Sequence, residues 1–232
     1  MNLTLIGYGK MGKTIHDLAK QHHGYNINKI EDENVLGDGK VLQGTICIDF
    51  TNATAFGRQY ETIAKKCSAA VVGTTGWEEI RQEVYDCFKD YGKTLIHANN
   101  FSIGANIYFE IVDRASKLLA QVNSYDPYIL EMHHCEKKDQ PSGTAKELIN
   151  ILQSAFNKIT SPVSVRCGWI RGVHEIGYES KDDKIVIKHE AYSRNGFAAG
   201  ALLAAEWSST VKGVWSFREL LVQKLASCHC EE

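Results

Sequence analysis

The sequence predicts an α/β protein in which a mostly parallel sheet with crossover helices precedes a second domain with a mixed or antiparallel sheet. Two observations carry this expectation. Through about residue 100, short β-rich runs alternate with longer amphipathic ones, the rhythm of βαβ units. Beyond that point a long helix gives way to strands joined by short connections, before the chain closes on a Gly- and Ala-rich helix. The 232 residues are 44% apolar and 23% charged, enough to build one large core or two small ones, and disorder or a fibrous repeat is excluded.

Taken in order, residues 3–6 form the first strand, and Met11, Ile15, Leu18 and Ala19 then recur at helical spacing. Residues 25–30 return to strand composition. TICIDF (45–50), SAAVV (68–72) and TLIHA (94–98) follow, separated by stretches long enough for the crossover helices that parallel pairing needs. Ile107, Ile111, Ala115, Leu118, Leu119 and Val122 mark a longer helix; next come the strand DPYILEMHH and a helix from about Thr144. PVSVRCGWI (162–170), residues 174–178 and KIVIKHEAY (184–192) read as strands, and GFAAGALLAAEW and FRELLVQKL as closing helices.

The net charge of −2, from 26 basic and 28 acidic residues, argues against a nucleic-acid or anionic-membrane surface and leaves small neutral or anionic ligands open. No apolar run approaches the roughly 18 residues of a spanning helix, and MNLTLIG lacks a signal-peptide pattern, so the expected location is the cytoplasm. Seven scattered cysteines without a CxxC read as reduced thiols.

The first chemical signal is GYGKMG (Gly7, Tyr8, Gly9, Lys10, Met11, Gly12), a GxGxxG set between a predicted strand and a predicted helix. Gly7 permits the tight turn, Gly9 lets backbone approach a pyrophosphate, and the helix start offers free N–H donors. This points to a Rossmann-type dinucleotide site. Glu31, nineteen residues beyond Gly12, ends the second predicted strand, where a carboxylate accepts hydrogen bonds from an adenosine ribose. It favours a free 2′-hydroxyl, hence NADH; Asp32 adds to that preference, while Lys10 and Lys13 offset it and keep NADPH open. Gly73, Thr74 and Thr75 of GTTG, and Ala98, Asn99, Asn100 and Phe101 of ANNFS, follow strands on the same carboxyl edge and are placed to meet ribose and nicotinamide.

The second signal is EMHHCEKKDQPSGTA, residues 131–145. On a strand, Glu131 and His133 share one face while Met132 and His134 share the other. Pro141 and Gly143 favour a loop from which Lys137 folds back toward His133. Thr144 and Glu147 read as a capping box opening a helix with an apolar face at Ala145, Leu148, Ile149, Leu152 and Phe156. The exposed N–H groups of PSGT, with the Ser142 and Thr144 hydroxyls, suit a carboxylate. A metal reading of His133, His134, Cys135 and Glu136 is disfavoured because adjacent residues rarely converge on one ion, and Cys228-His229-Cys230 reads as a frayed terminus. No metal is expected.

Together these residues resemble the dihydrodipicolinate reductases of bacterial diaminopimelate and lysine synthesis. The resemblance runs from residue 3 to about 222 through KMG, DFT (49–51), GTTG, NFS (100–102), the ExHHxxKxDxPSGTA signature, a GxHE-like run (172–175) and an SRxxFAxGA-like run (193–201). It implies a nucleotide domain of residues 1–102 plus 195–232, an inserted substrate and oligomerisation domain of residues 103–194, and a homotetramer. The implied reaction is NAD(P)H-dependent reduction of 4-hydroxy-tetrahydrodipicolinate, or the dihydrodipicolinate formed by its dehydration, to tetrahydrodipicolinate. His133 then maps to the proton donor/acceptor, with a pKa near neutral, and Lys137 to a second donor. His134, Gly143 and Thr144 map to substrate contacts, Ser142 joins them through its hydroxyl, and Arg194 pairs a substrate carboxylate. The glycine loop is one residue shorter than in many members. Two other readings stand beside this one: another Rossmann-domain dehydrogenase of an amino acid or semialdehyde, and a dinucleotide-sensing protein without catalysis.

Overall fold

The computed structural model describes residues 1–22, 24–30, 39–158 and 160–227. Glu31, Asp32 and the Cys228-His229-Cys230 tail lie outside them. The chain divides into two compact units, Met1–Ile103 with the stretch from Arg194 onward, and Gly104–Ser193. The first unit runs β1 (Asn2–Ile6), α1 (Lys10–Lys20), β2 (Asn26–Ile30), β3 (Ile46–Asp49), α2 (Ala53–Lys66), β4 (Ala69–Val72), α3 (Arg81–Asp90) and β5 (Thr94–His97).

After the second unit the chain returns as α6 (Asn195–Trp207), β10 (Val214–Ser216) and α7 (Phe217–Ser227). Six strands make one wholly parallel sheet in the order β10-β5-β4-β3-β1-β2. The central strands ICID and AAVV are buried throughout, as a sheet covered on both faces demands, whereas edge strand β2 is half exposed. One face packs Leu3, Leu5, Ile48 and Val71 against Ile15 and Ala19 of α1 and against Ala201, Ala205 and Phe217. The other packs Ile6, Cys47 and Ala70 against Phe56 and Ile63 of α2 and Val84 and Phe88 of α3. Strand order reverses between β1 and β3, so the loops leaving these two strands flank the switch point where open α/β sheets bind ligands.

The second unit holds α4 (Ile103–Leu119), β6 (Asp126–His133), α5 (Gly143–Phe156), β7 (Val163–Arg166), β8 (Val173–Glu179) and β9 (Lys184–Glu190). Its sheet is mixed, in the order β7-β6-β8-β9: β6 runs parallel to β7 and antiparallel to β8, which is antiparallel to β9. One face packs Ile129, Ile176 and Tyr178 on Tyr108, Phe109 and Val112 of α4 and Leu148 and Leu152 of α5. The alternating burial of β6 turns Pro127, Ile129, Glu131 and His133 toward that side.

Three element readings need correction. The strand expected over residues 162–170 stops at Arg166, because Gly168 takes a left-handed backbone (φ 50°). His134 lies just past the end of β6 rather than on it. Strand β10 escaped the sequence because three residues running straight into α7 carry no readable period; it completes the parallel sheet beside β5. The five described cysteines are free thiols, and no described helix is long and apolar enough to cross a membrane.

Candidate active site

In the first unit the turn after β1 is built on Gly7, whose φ of +86° suits glycine. A Cβ there would sit 2.5 Å from the Phe50 carbonyl oxygen and 2.9 Å from the Thr51 methyl. A Cβ on Gly12 would run into the Gly7 carbonyl, so Gly12 draws α1 tightly onto the turn. Gly9 is the N-cap of α1; no side chain caps this helix, its first turn carries no acid, and the space over Gly9 is open. The unsatisfied N–H groups and positive dipole end therefore face outward, which fits a pyrophosphate. Around the loop, the Tyr8 hydroxyl meets His16 Nδ1 at 2.5 Å and the Lys29 ammonium lies 4.6 Å over the Tyr8 ring. Lys10 is exposed, and Met11 packs partly against the core.

The next two loops are tied by a buried acid. Asp49 Oδ1 accepts from the Thr51 amide (3.2 Å), the Thr51 hydroxyl (2.9 Å) and the Thr74 hydroxyl (2.5 Å), and Trp77 Nε1 donates to the Thr74 carbonyl at 2.7 Å. The Thr74 hydroxyl is buried and holds DFT to GTTG, while Thr75 and Gly73 are more accessible. The Phe101 ring is 1% exposed between Phe50 and Phe217. Ala98 and Asn99 remain open at the end of β5, and Asn100 Oδ1 accepts from Ser102 N (2.8 Å) to set the turn.

In the second unit, strand register assembles one row across the sheet: Ser164, Glu131, His174 and His189 face one another on β7, β6, β8 and β9. Glu131 is completely buried. Its Oε1 accepts from the Ser164 hydroxyl at 2.6 Å and Arg166 Nη2 at 3.0 Å, and the Ser142 amide approaches both oxygens at 3.2 Å. Its Oε2 faces His133 Nδ1 at 3.4 Å and His174 Nε2 at 3.8 Å. Burial alone would raise the carboxyl, but the bonds from Ser142, Ser164 and Arg166 outweigh it and hold the pKa down at about 2.

Both imidazoles are neutral at physiological pH. Burial pushes His133 down to about 4 against the opposing pull of Glu131, and His174 down to about 3, with His133 adding to the burial. The expectation of a near-neutral His133 is thereby corrected: desolvation of a 7%-exposed side chain outweighs its carboxylate neighbour. His189 is also lowered by burial and stacks on Tyr108. Lys137 pairs with Asp139 at 2.8 Å and stays partly accessible, as does His134, whose carbonyl accepts from the Lys137 amide.

The helix after this loop is capped two residues earlier than the Thr144–Glu147 reading. Ser142 is the N-cap, its hydroxyl accepting from Ala145 N at 3.2 Å and meeting His174 Nε2 at 3.1 Å. Ser142 is 3% exposed, with its hydroxyl turned to the helix cap and to His174. Gly143 is exposed and Thr144 half-buried at the helix start. Arg194 is the exposed N-cap of α6, its carbonyl accepting from the amides of Phe197 and Ala198.

Sequence reasoning missed Ser164, Arg166, His174 and Asp49 as parts of these sites. A hydrophilic Glu131 at an inward position of an alternating strand was a visible signal, but its partners come from strands whose register the sequence does not carry. The fold also gathers a set of metal-capable groups not weighed from spacing, Glu131, His133 and His174, with ligand atoms within 4.8 Å. The Arg166 guanidinium on the same carboxylate opposes a second cation there, so the arrangement suits proton chemistry better than a metal.

Comparison with known proteins agrees along the length of the chain. A family model described as dihydrodipicolinate reductase, N-terminus, matches residues 1–101, and one described as dihydrodipicolinate reductase, C-terminus, matches residues 104–221. A 4-hydroxy-tetrahydrodipicolinate reductase of Christiangramia forsetii is 32% identical over 233 residues, covering 95% of this chain and 98% of its own. One from Methanocorpusculum labreanum is 35% identical over 245 residues, covering 92% and 95%. Among solved structures, the dipicolinate-bound dihydrodipicolinate reductase of Paenisporosarcina sp. TG-14 superposes with a TM-score of 0.74 at 19% identity, covering 94% of this chain and 98% of that one, a likeness of fold. By these matches the chain belongs to the dihydrodipicolinate reductase family.

Proposed function

We propose that this protein reduces 4-hydroxy-tetrahydrodipicolinate to tetrahydrodipicolinate with a reduced nicotinamide dinucleotide, on the diaminopimelate route to lysine. The observation that carries the reading is the pairing of His133 with an ionised, fully buried Glu131 beside the start of α5, inside the family signature. The open, uncapped start of α1 and the tight Gly7 turn fit a dinucleotide. When bound, the nicotinamide supplies the hydride. The chain does the rest: Gly9 and the first amides of α1 hold the pyrophosphate, and Ala98 and Asn99 border the nicotinamide. The start of α5 at Gly143 and Thr144, with His134, suits a substrate carboxylate, and Arg194 carries a guanidinium that can pair a carboxylate. Lys137 offers an ammonium to the developing negative charge and His133 moves a proton, each contributing on the order of 10²–10⁴-fold. Glu31 favours NADH, and parallel initial rates with NADH and NADPH measure that preference.

The test is absorbance at 340 nm with NADH and freshly generated substrate. Substrate-dependent decay is expected, with His133→Ala and Lys137→Ala losing turnover while keeping NADH binding. NADH binding without any decay would favour a sensor, and decay only with an amino acid or semialdehyde would favour a different dehydrogenase. We also infer a homotetramer; the sheet face away from the helices carries Tyr128, Leu130, Met132 and the 45%-exposed Val186 beside the charged Glu175 and Lys188, a mixed surface open to a second copy. Light scattering after gel filtration reads the assembly directly.

A further inference from the structure

We propose that Glu131 is a positioning residue for His133: its buried carboxylate holds the ring in the Nδ1–H tautomer, so that Nε2 presents a lone pair to the space left open by Gly172. The inference rests on the reductase reading for its consequence but not for its geometry. A carboxylate only accepts hydrogen bonds. Oε1 of Glu131 is taken by Ser164 (2.6 Å) and Arg166 (3.0 Å), and Oε2, which the Ser142 amide also approaches at 3.2 Å, faces His133 Nδ1 3.4 Å away. That nitrogen is buried and makes no hydrogen bond among the described residues; Oε2, 3.4 Å away, is an acceptor within the range that ligand binding tightens. The opposite tautomer would set two lone pairs against each other in a dry site.

At the other end of the ring, a Cβ on Gly172 would lie 3.2 Å from His133 Nε2. The glycine therefore keeps the working nitrogen uncovered. The groups facing the ring are Glu131 and His174 from the sheet, Arg166 on β7, and Lys137 and Asp139 from the following loop. A proton taken up at Nε2 and then given to the substrate carbon returns the ring to the tautomer it started from, with no ring flip. The same placement accounts for the otherwise costly burial of an ion in this sheet: Ser142, Ser164 and Arg166 orient Glu131, and Glu131 orients the histidine.

The test is the tautomer of His133, read from long-range ¹H–¹⁵N correlations of the ligand-free, full-length protein at neutral pH, together with steady-state kinetics of Glu131→Gln. The wild-type protein is expected to show Nδ1–H. In Glu131→Gln, Ser164 and Arg166 retain the amide oxygen in the Oε1 place, so the amide NH2 faces the ring and switches it to Nε2–H. The expected kcat falls by about 10- to 100-fold, with NADH binding unchanged. A wild-type Nε2–H ring, or a variant with unaltered tautomer and kcat, overturns the proposal. If Glu131→Gln does not fold, the wild-type spectrum decides, supported by Gly172→Ala, which is expected to lower kcat while keeping Nδ1–H. A wild-type protein with the Nδ1–H ring but no turnover would sink the reductase reading and uphold the placement.

Discussion

Gly7 shows how one residue can set a turn and, with it, the proposed dinucleotide site. Its positive φ and its 2.5 Å clearance from the Phe50 carbonyl leave no room for a side chain, and the same turn aims the start of α1 outward. Gly7→Ala is expected to lose ~1–3 kcal/mol of stability through left-handed strain and crowding. It should also abolish the rise in melting temperature that NADH gives the wild-type protein. Thermal scans with and without NADH check both, and an undiminished NADH shift would detach the turn from the cofactor. Legibility at this scale was uneven. Gly7, His133 and Lys137 announce themselves by local pattern, since a strand–glycine–helix junction and an HH pair are short-range features. Thr74, Phe101 and Ser142 read from the same loops as ligand contacts, yet their side chains turn inward, to Asp49, to Phe50 and Phe217, and to the α5 cap. Inward or outward is decided by what packs against the loop.

Helices α5 and α6 are held in place by very different means. Ser142 caps α5 and also hands its amide to Glu131, so Ser142→Ala should cost about 1 kcal/mol for the lost cap and leave the amide bonds intact. Denaturant unfolding measures the loss, and a change below the error of the fit would show the cap to be idle. Helix α6 instead depends on close approach: a Cβ on Gly200 would collide with the Phe101 carbonyl and lie 3.3 Å from the Phe217 ring. Gly200→Ala is therefore expected to destabilise by ~1–3 kcal/mol, although alanine is the better helix former by about 1 kcal/mol. A stabilised variant would mean that the loop at Phe101 yields. The apolar period of α5 and the Gly- and Ala-rich composition of α6 are plain in the sequence, whereas the first residue of α5 is not: Ser142 and Thr144 are each good caps, and the choice falls to the residue whose hydroxyl reaches Ala145 and His174 together.

Across the whole molecule, several buried histidines link stability to pH. His97 and His133 are held at about 4 and His174 at about 3, in each case chiefly by burial, against an ordinary 6.5 in the unfolded chain. Because the folded values are lowered, the unfolded chain binds more protons as pH falls below about 6.5. Stability is then full above that value and is lost progressively toward about 4. Glu131, at about 2 folded against 4.5, extends the loss through the window between those values. Melting temperature should be level above pH ~7 and decline steadily below ~6.5, and His97→Gln should flatten part of that slope. A level profile down to pH ~5 would show that these rings are not buried neutral in solution.

Read along the chain, local periodicity and glycine placement were enough to specify the parallel sheet with its crossover helices, the tight glycine turn after β1 and the strand that carries His133, because each depends on contacts within a few tens of residues. Register was beyond them. The row Ser164–Glu131–His174–His189, the tie from Asp49 to Thr74 and the short strand β10 join segments far apart in sequence, and only the packed fold selects those partners. The acid–base character of the site belongs to the same level, since a histidine's charge follows its desolvation and its neighbours, and neither is written in the order of the residues.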